Sequence, residues 1–170
     1  MARTSVKANK NIYHTTREDL DLTREKASEI LEGLPPERIE KIENERIIPH
    51  PEDILVMAKG YKAPHLCNYY CSHQCPIGQE YVPEIKSKDL SQIILEMLAY
   101  LNSMQSKKDR LVEITYDGKI DKDEIDDFIY IQSELERISV AVETLQLWSE
   151  KMLAEGKIDK TEYEKRKNIK

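Results

Sequence analysis

The apolar positions of this chain recur at spacings of three and four, the period of an amphipathic helix. Thr23 is placed to cap a helix over 24–31 that Gly33 ends. Pro35-Pro36 opens the next, because the first helical turn has no partner for the N–H that proline lacks. Ile39 and Ile42 share one side of it. Pro49 and Pro51 make a loop of Ile47 to Pro51. Pro51 then begins a helix with Ile54, Leu55 and Ala58 facing inward and Gly60 as its stop. A fifth helix starts at Pro64 and runs to Cys71 or His73. Residues 74–86 hold Pro76, Gly78 and Pro83 and read as a linker. Beyond it, Leu90, Ile94, Met97, Leu101, Met104 and Leu111 make one long apolar stripe. Phe128, Ile131, Leu135, Ile138, Val142, Leu145 and Met152 make another. Two such helices joined by a short turn are expected to fold back as an antiparallel hairpin, with room for a partner chain along the heptad spacing.

Composition agrees with an all-α fold. Charged residues make up 34% of the 170 and the hydrophobic set 39%, with five Gly, one Phe and one Trp. No apolar run approaches the ~18 residues that cross a bilayer, and the first residues lack a signal-peptide core, so a cytoplasmic protein is expected. The net charge of −6 is unlike that of a strong nucleic-acid binder, but its distribution matters more than its sum. Arg3, Lys7, Lys10 and Arg17 precede any acid, and residues 1–62 carry eleven Lys and Arg against twelve Asp and Glu. A basic arm (1–8) thus leads into a nearly neutral domain (9–73).

A short repeat punctuates the second half: the segment from Asp117 to Glu124 recurs from Glu155 to Glu162. A calcium loop would need oxygen ligands where Lys151 and Leu153 stand in the second copy. Helix punctuation accounts for both copies instead. Gly118 and Gly156 end one helix in the left-handed conformation, Asp121 and Asp159 cap the next, and Glu124 and Glu162 complete capping boxes.

With these helices placed, residues 9–71 resemble the lambda-repressor-like helix-turn-helix family (the Xre, Cro/CI-type transcriptional regulators). The matching stretches are Leu22-Thr23-Arg24-Glu25, then Ile39-Glu40-Lys41-Ile42-Glu43-Asn44 with Pro49 after it, and Ile54-Leu55-Val56-Met57-Ala58-Lys59. The resemblance implies a five-helix DNA-binding domain whose third helix enters the major groove of double-stranded DNA. Thr23 and Arg24 would then meet a backbone phosphate; Pro36, Glu37 and Lys41 fall at base-reading positions; Asn44 and Arg46 sit where the exit loop touches phosphate. Pro36 takes the place of a base-bonding side chain, and Glu37 and Glu40 put negative charge on that face, so sequence reading would rest on Arg38 and Lys41. A scaffold used only for protein contacts is the alternative.

His65, Cys67, Cys71, His73 and Cys75 fall within eleven residues. Cys67 and Cys71 share a helix face, and Cys75 follows the helix end. Three thiolates with His73 or His65 match zinc, and Cys75-Pro76 resembles the end of an iron–sulfur motif. Packing of Cys67 and Cys71 as small core residues is the competing explanation. No catalytic set is visible, so an enzyme is not expected. The chain reads as a dimeric transcriptional regulator, a repressor-type protein paired through residues 87–170, with a metal- or redox-responsive regulator or a protein-interaction adaptor as alternatives.

Overall fold

The computed structural model of the protein describes residues 10–116 and 118–168. Arg3 and Lys7 of the expected arm, and Asp117 of the first repeat, lie outside the described residues. The described residues are helical and contain no strand: α1 (Ile12–Asp19), α2 (Arg24–Ile30), α3 (Pro36–Glu43), α4 (Pro51–Gly60), α5 (His65–His73), α6 (Pro76–Tyr81), α7 (Leu90–Ile114), α8 (Ile125–Ala154) and α9 (Lys160–Lys167). None of these helices is long and apolar enough to cross a membrane.

The chain divides into two compact units, residues to Glu84 together with Ser149 onward, and Ile85–Trp148. In the first, Tyr13, Leu31, Ile39, Ile42, Ile54, Met57 and Leu66 are essentially inaccessible and form the centre of one core drawn from α1 to α5. Leu55, expected to face inward beside Ile54 and Ala58, is instead 59% exposed.

Local chemistry sets the helix ends. Asn11, Thr23, Asp89 and Asp159 cap α1, α2, α7 and α9 by accepting a backbone N–H three residues on. Helices α3, α4 and α6 open on Pro36, Pro51 and Pro76. At the other ends a left-handed residue lets two N–H groups turn back onto helix carbonyls. Gly156 does this for α8: its N–H reaches Leu153 O at 3.2 Å and Lys157 N–H reaches Met152 O at 2.8 Å. Asp21, Glu45 and Lys62 do it for α1, α3 and α4 with φ of 53°, 58° and 54°, against the cost an L side chain meets there. In the repeat, Asp159 accepts the Glu162 N–H at 2.9 Å, and Glu124 accepts the Asp121 N–H at 3.1 Å. Both glycines have the expected positive φ, +71° and +72°.

The span expected as a linker carries a helix. Pro76 opens α6, and Gly78 lies so close to α5 that a Cβ there would collide with the Cys71 carbonyl. The glycine is a packing residue of the helix pair, so residues 76–81 form a packed helix, while 82–86 lie outside any helix and hold the boundary between the two units.

In the second unit, α7 and α8 run antiparallel. Arg110 Nε donates to Asp127 Oδ2 at 2.7 Å, and the Ser103 and Tyr130 hydroxyls meet at 2.8 Å. The buried positions are Ile93 and Ile114 on α7 and Ile131, Glu134, Ala141 and Thr144 on α8. Leu90, Ile94 and Leu101 of the first expected stripe, and Phe128, Leu135 and Val142 of the second, are 37–49% exposed.

Candidate nucleic-acid interface and the cysteine cluster

Helix α3 buries Ile39, Ile42 and Glu43, three positions that share one face at spacings of three and four. Its other side leaves Glu37 and Lys41 exposed and Pro36, Glu40 and Asn44 partly exposed. Glu45 and Arg46 follow on the exit turn, both exposed. Among these carboxylates Glu40 accepts from Asn44 Nδ2 at 3.4 Å and lies 3.5 Å from Arg46 Nη1.

The Arg38 side chain is 32% exposed and is held by an ion pair. Its Nε and Nη2 donate to the two carboxylate oxygens of Asp53 at 2.8 and 2.5 Å, and Asp53 also accepts the His50 N–H at 2.8 Å. The pair ties α3 to the first turn of α4. Burial alone would raise the Asp53 carboxyl, but the Arg38 hydrogen bonds, the His50 N–H and the Arg38 charge outweigh it and hold the group below its ordinary range. The side chain expected to read bases is thus engaged within the domain.

Arg24, expected on a phosphate, donates from Nε to the buried Glu43 carboxylate at 2.8 Å while its side chain stays 31% exposed. Thr23 is occupied as the cap of α2, accepting the Lys26 N–H at 3.3 Å. Glu43 is wholly inaccessible and serves Arg17 as well, through Nε at 2.5 Å and Nη2 at 3.0 Å; Arg17 Nη1 donates to Leu22 O at 2.6 Å. Two guanidiniums therefore share one carboxylate, and the surplus positive charge emerges through Arg24. His14 is buried beside them, with Nδ1 4.0 Å from Glu43 Oε2 and Nε2 3.1 Å from Glu18. Lys10, counted with the basic arm, is ion-paired with Glu18 at 2.5 Å. Sequence reasoning missed the Glu43 centre. Its signal was present, since Glu43 follows Ile39 by four and so stands on the apolar stripe.

The three thiols are free. Cys67 packs against the core of the first unit, and burial, Cys71 and Glu150 push its thiol up. Burial and Cys75 do the same for Cys71. Cys75 precedes α6, and its N–H donates to Tyr70 O at 3.0 Å. The His73 ring stacks on Tyr69 at 4.3 Å, its Nδ1 lies 2.9 Å from Ser72 Oγ, and its Nε2 is 3.9 Å from Glu84. His65 is partly buried, and burial with the nearby Lys151 charge lowers its pKa. Among the described residues no three His, Cys, Asp or Glu side chains are placed to hold a metal ion. The zinc and iron–sulfur expectations stay with the spacing alone.

The chain matches no protein-family model, no curated protein and no solved structure.

Proposed function

We propose that the amino-terminal helical domain is a helix-turn-helix DNA-binding module of a transcriptional regulator, with α3 as its groove-facing helix. The observation that carries this reading is the division of α3 into a buried side of Ile39, Ile42 and Glu43 and a solvent-facing polar side holding Lys41, with Arg46 on the exit turn. Arg38 takes a positioning role in it, fixing α3 against α4 through Asp53, and base contact falls to Lys41 and Asn44. Arg24 and Arg46 meet phosphate. The exposed rows of the hairpin support pairing of two chains, which would offer two α3 helices to successive grooves.

Fluorescence anisotropy of pooled random-sequence duplexes, run at two salt concentrations with the full chain, tests the reading. Binding should appear at low salt and weaken as salt rises; Arg46→Ala should flatten that dependence by about one phosphate contact, and adding Lys41→Ala should weaken binding further. Absence of binding at low salt sinks it. The second reading, a protein-interaction adaptor, is favoured by Glu37, Glu40 and Glu45 around that face and by the engagement of Arg38. It expects no DNA affinity at any salt.

A further inference from the structure

The first unit contains a cavity of about 670 Å³ away from the polar side of α3. One wall comes from α4 and the start of α5, the other from the end of α8 and the start of α9, so segments some ninety residues apart in sequence face each other across it. Its size falls within the range of ligand pockets, roughly 300–1,000 Å³. The floor is aliphatic: Leu55, Val56, Leu153 and Ala154 line it, and Cys67 presents a thiol from α5. This also gives a setting for Leu55, whose outward turn the core of α4 leaves unexplained.

The charged part of the lining has one dominant sign. Lys59, Lys62 and Lys160 stand on it against the single carboxylate of Glu150. Lys160 lies 3.8 Å from Glu164, with both side chains more than half exposed, a pairing that water largely screens. Lys59 and Lys62 have no carboxylate within ion-pair distance among the described residues. In a chain of net charge −6, this is a local reversal beside apolar surface. An aliphatic floor rejects a wholly polar ligand, and ammonium groups on flexible stems select a negative head without fixing its shape.

We infer that this cavity binds an amphiphile with a single aliphatic chain and one anionic head, the chain on Leu55, Val56, Leu153 and Ala154 and the head between Lys59 and Lys62. Such a ligand joins α4–α5 to α8–α9, and occupancy stabilises the unit by mass action. The site is separate from the DNA reading and does not depend on it.

Decanoate and decyl phosphate, each below its micelle-forming concentration, are the probes, titrated calorimetrically into the full chain. Saturable binding of one per chain is expected, with a rise in melting temperature that follows occupancy. Preference between the two probes identifies the head as carboxylate or phosphate. Lys59→Ala with Lys62→Ala, both exposed and so compatible with the native helix content, should weaken binding by about tenfold or more. In a Cys71→Ser, Cys75→Ser background, ligand should slow alkylation of Cys67. Equal affinity for decyltrimethylammonium, unchanged affinity in the lysine variant, or unaltered alkylation of Cys67 would overturn the assignment.

Discussion

The helical domain and the hairpin dispose of their apolar residues in opposite ways. In the first unit, short helices surround one centre and bring Tyr13, Leu31, Ile39, Ile42, Ile54, Met57 and Leu66 out of water together. In the second, two long helices bury one seam, while Leu90, Ile94, Leu101, Phe128, Leu135 and Val142 keep a third to a half of their surface. Two parallel cylinders touch along a line, so apolar residues beyond that line have nothing to cover them within a single chain. The domain closes its core within one chain; the hairpin leaves rows of apolar side chains in contact with water.

The largest test of this contrast is the charge inside the domain. Glu43→Ala leaves Arg17, itself 6% exposed, without its counter-charge, and should cost about 3–5 kcal/mol in urea unfolding. A loss below 1 kcal/mol would mean that the domain does not depend on its buried centre. Next comes Gly78→Ala. The new methyl meets Cys71 backbone, which cannot swing away as a side chain can, and about 2–3 kcal/mol should be lost. Retention of full stability would show that α6 is loosely attached, as a linker would be.

Asp53→Asn should cost about 1 kcal/mol at neutral pH through the weakened Arg38 pair and the altered α4 cap. The Asp53 carboxyl is held below its unfolded value near 3.9, so its contribution is complete above that pH and is lost as pH falls through the folded value. The gap between wild type and variant therefore closes below about pH 4. A gap that widens on acidification would reverse the assignment. The corresponding hairpin pair, Asp127 with Arg110, is a third exposed on each side, and Asp127→Asn should leave little trace in the same scan.

Glu45→Gly relieves the left-handed strain at the end of α3 and should gain about 0.5–1 kcal/mol. The smallest effect on the isolated chain is the sharpest for the comparison. Leu101→Gln with Leu135→Gln should alter dilute-solution stability by no more than about 0.5 kcal/mol, yet remove the concentration-dependent association that the proposed pairing of hairpins expects in sedimentation. Large destabilisation at low concentration would place these residues in the single-chain core.

Helix ends were the most legible feature of the sequence, because Pro36, Pro51, Thr23, Asp159 and Gly156 act through their own backbone chemistry. The inward face of α7 was not. Ile93, Ile94 and Leu95 follow one another, so a three-four pattern can be started on any of them, and only the partner helix selects Ile93. Arg38 illustrates the same limit at the candidate site: its destination, Asp53, is fifteen residues away and becomes a neighbour only after α3 and α4 pack. Pro76 and Gly78 were visible as residues and opaque in role, since the same pair that breaks a chain also opens a helix and admits a close neighbour.

The contact at Gly78 also bears on how this sequence can drift. What α5 offers α6 there is the backbone of Cys71, whose carbonyl oxygen, carbonyl carbon and Cα are the nearest atoms. Descendants of this chain can therefore exchange the thiol at 71 for another small side chain at little structural cost. Residue 78 has no such latitude, and across divergent relatives a glycine at that position should outlast the cysteines around it.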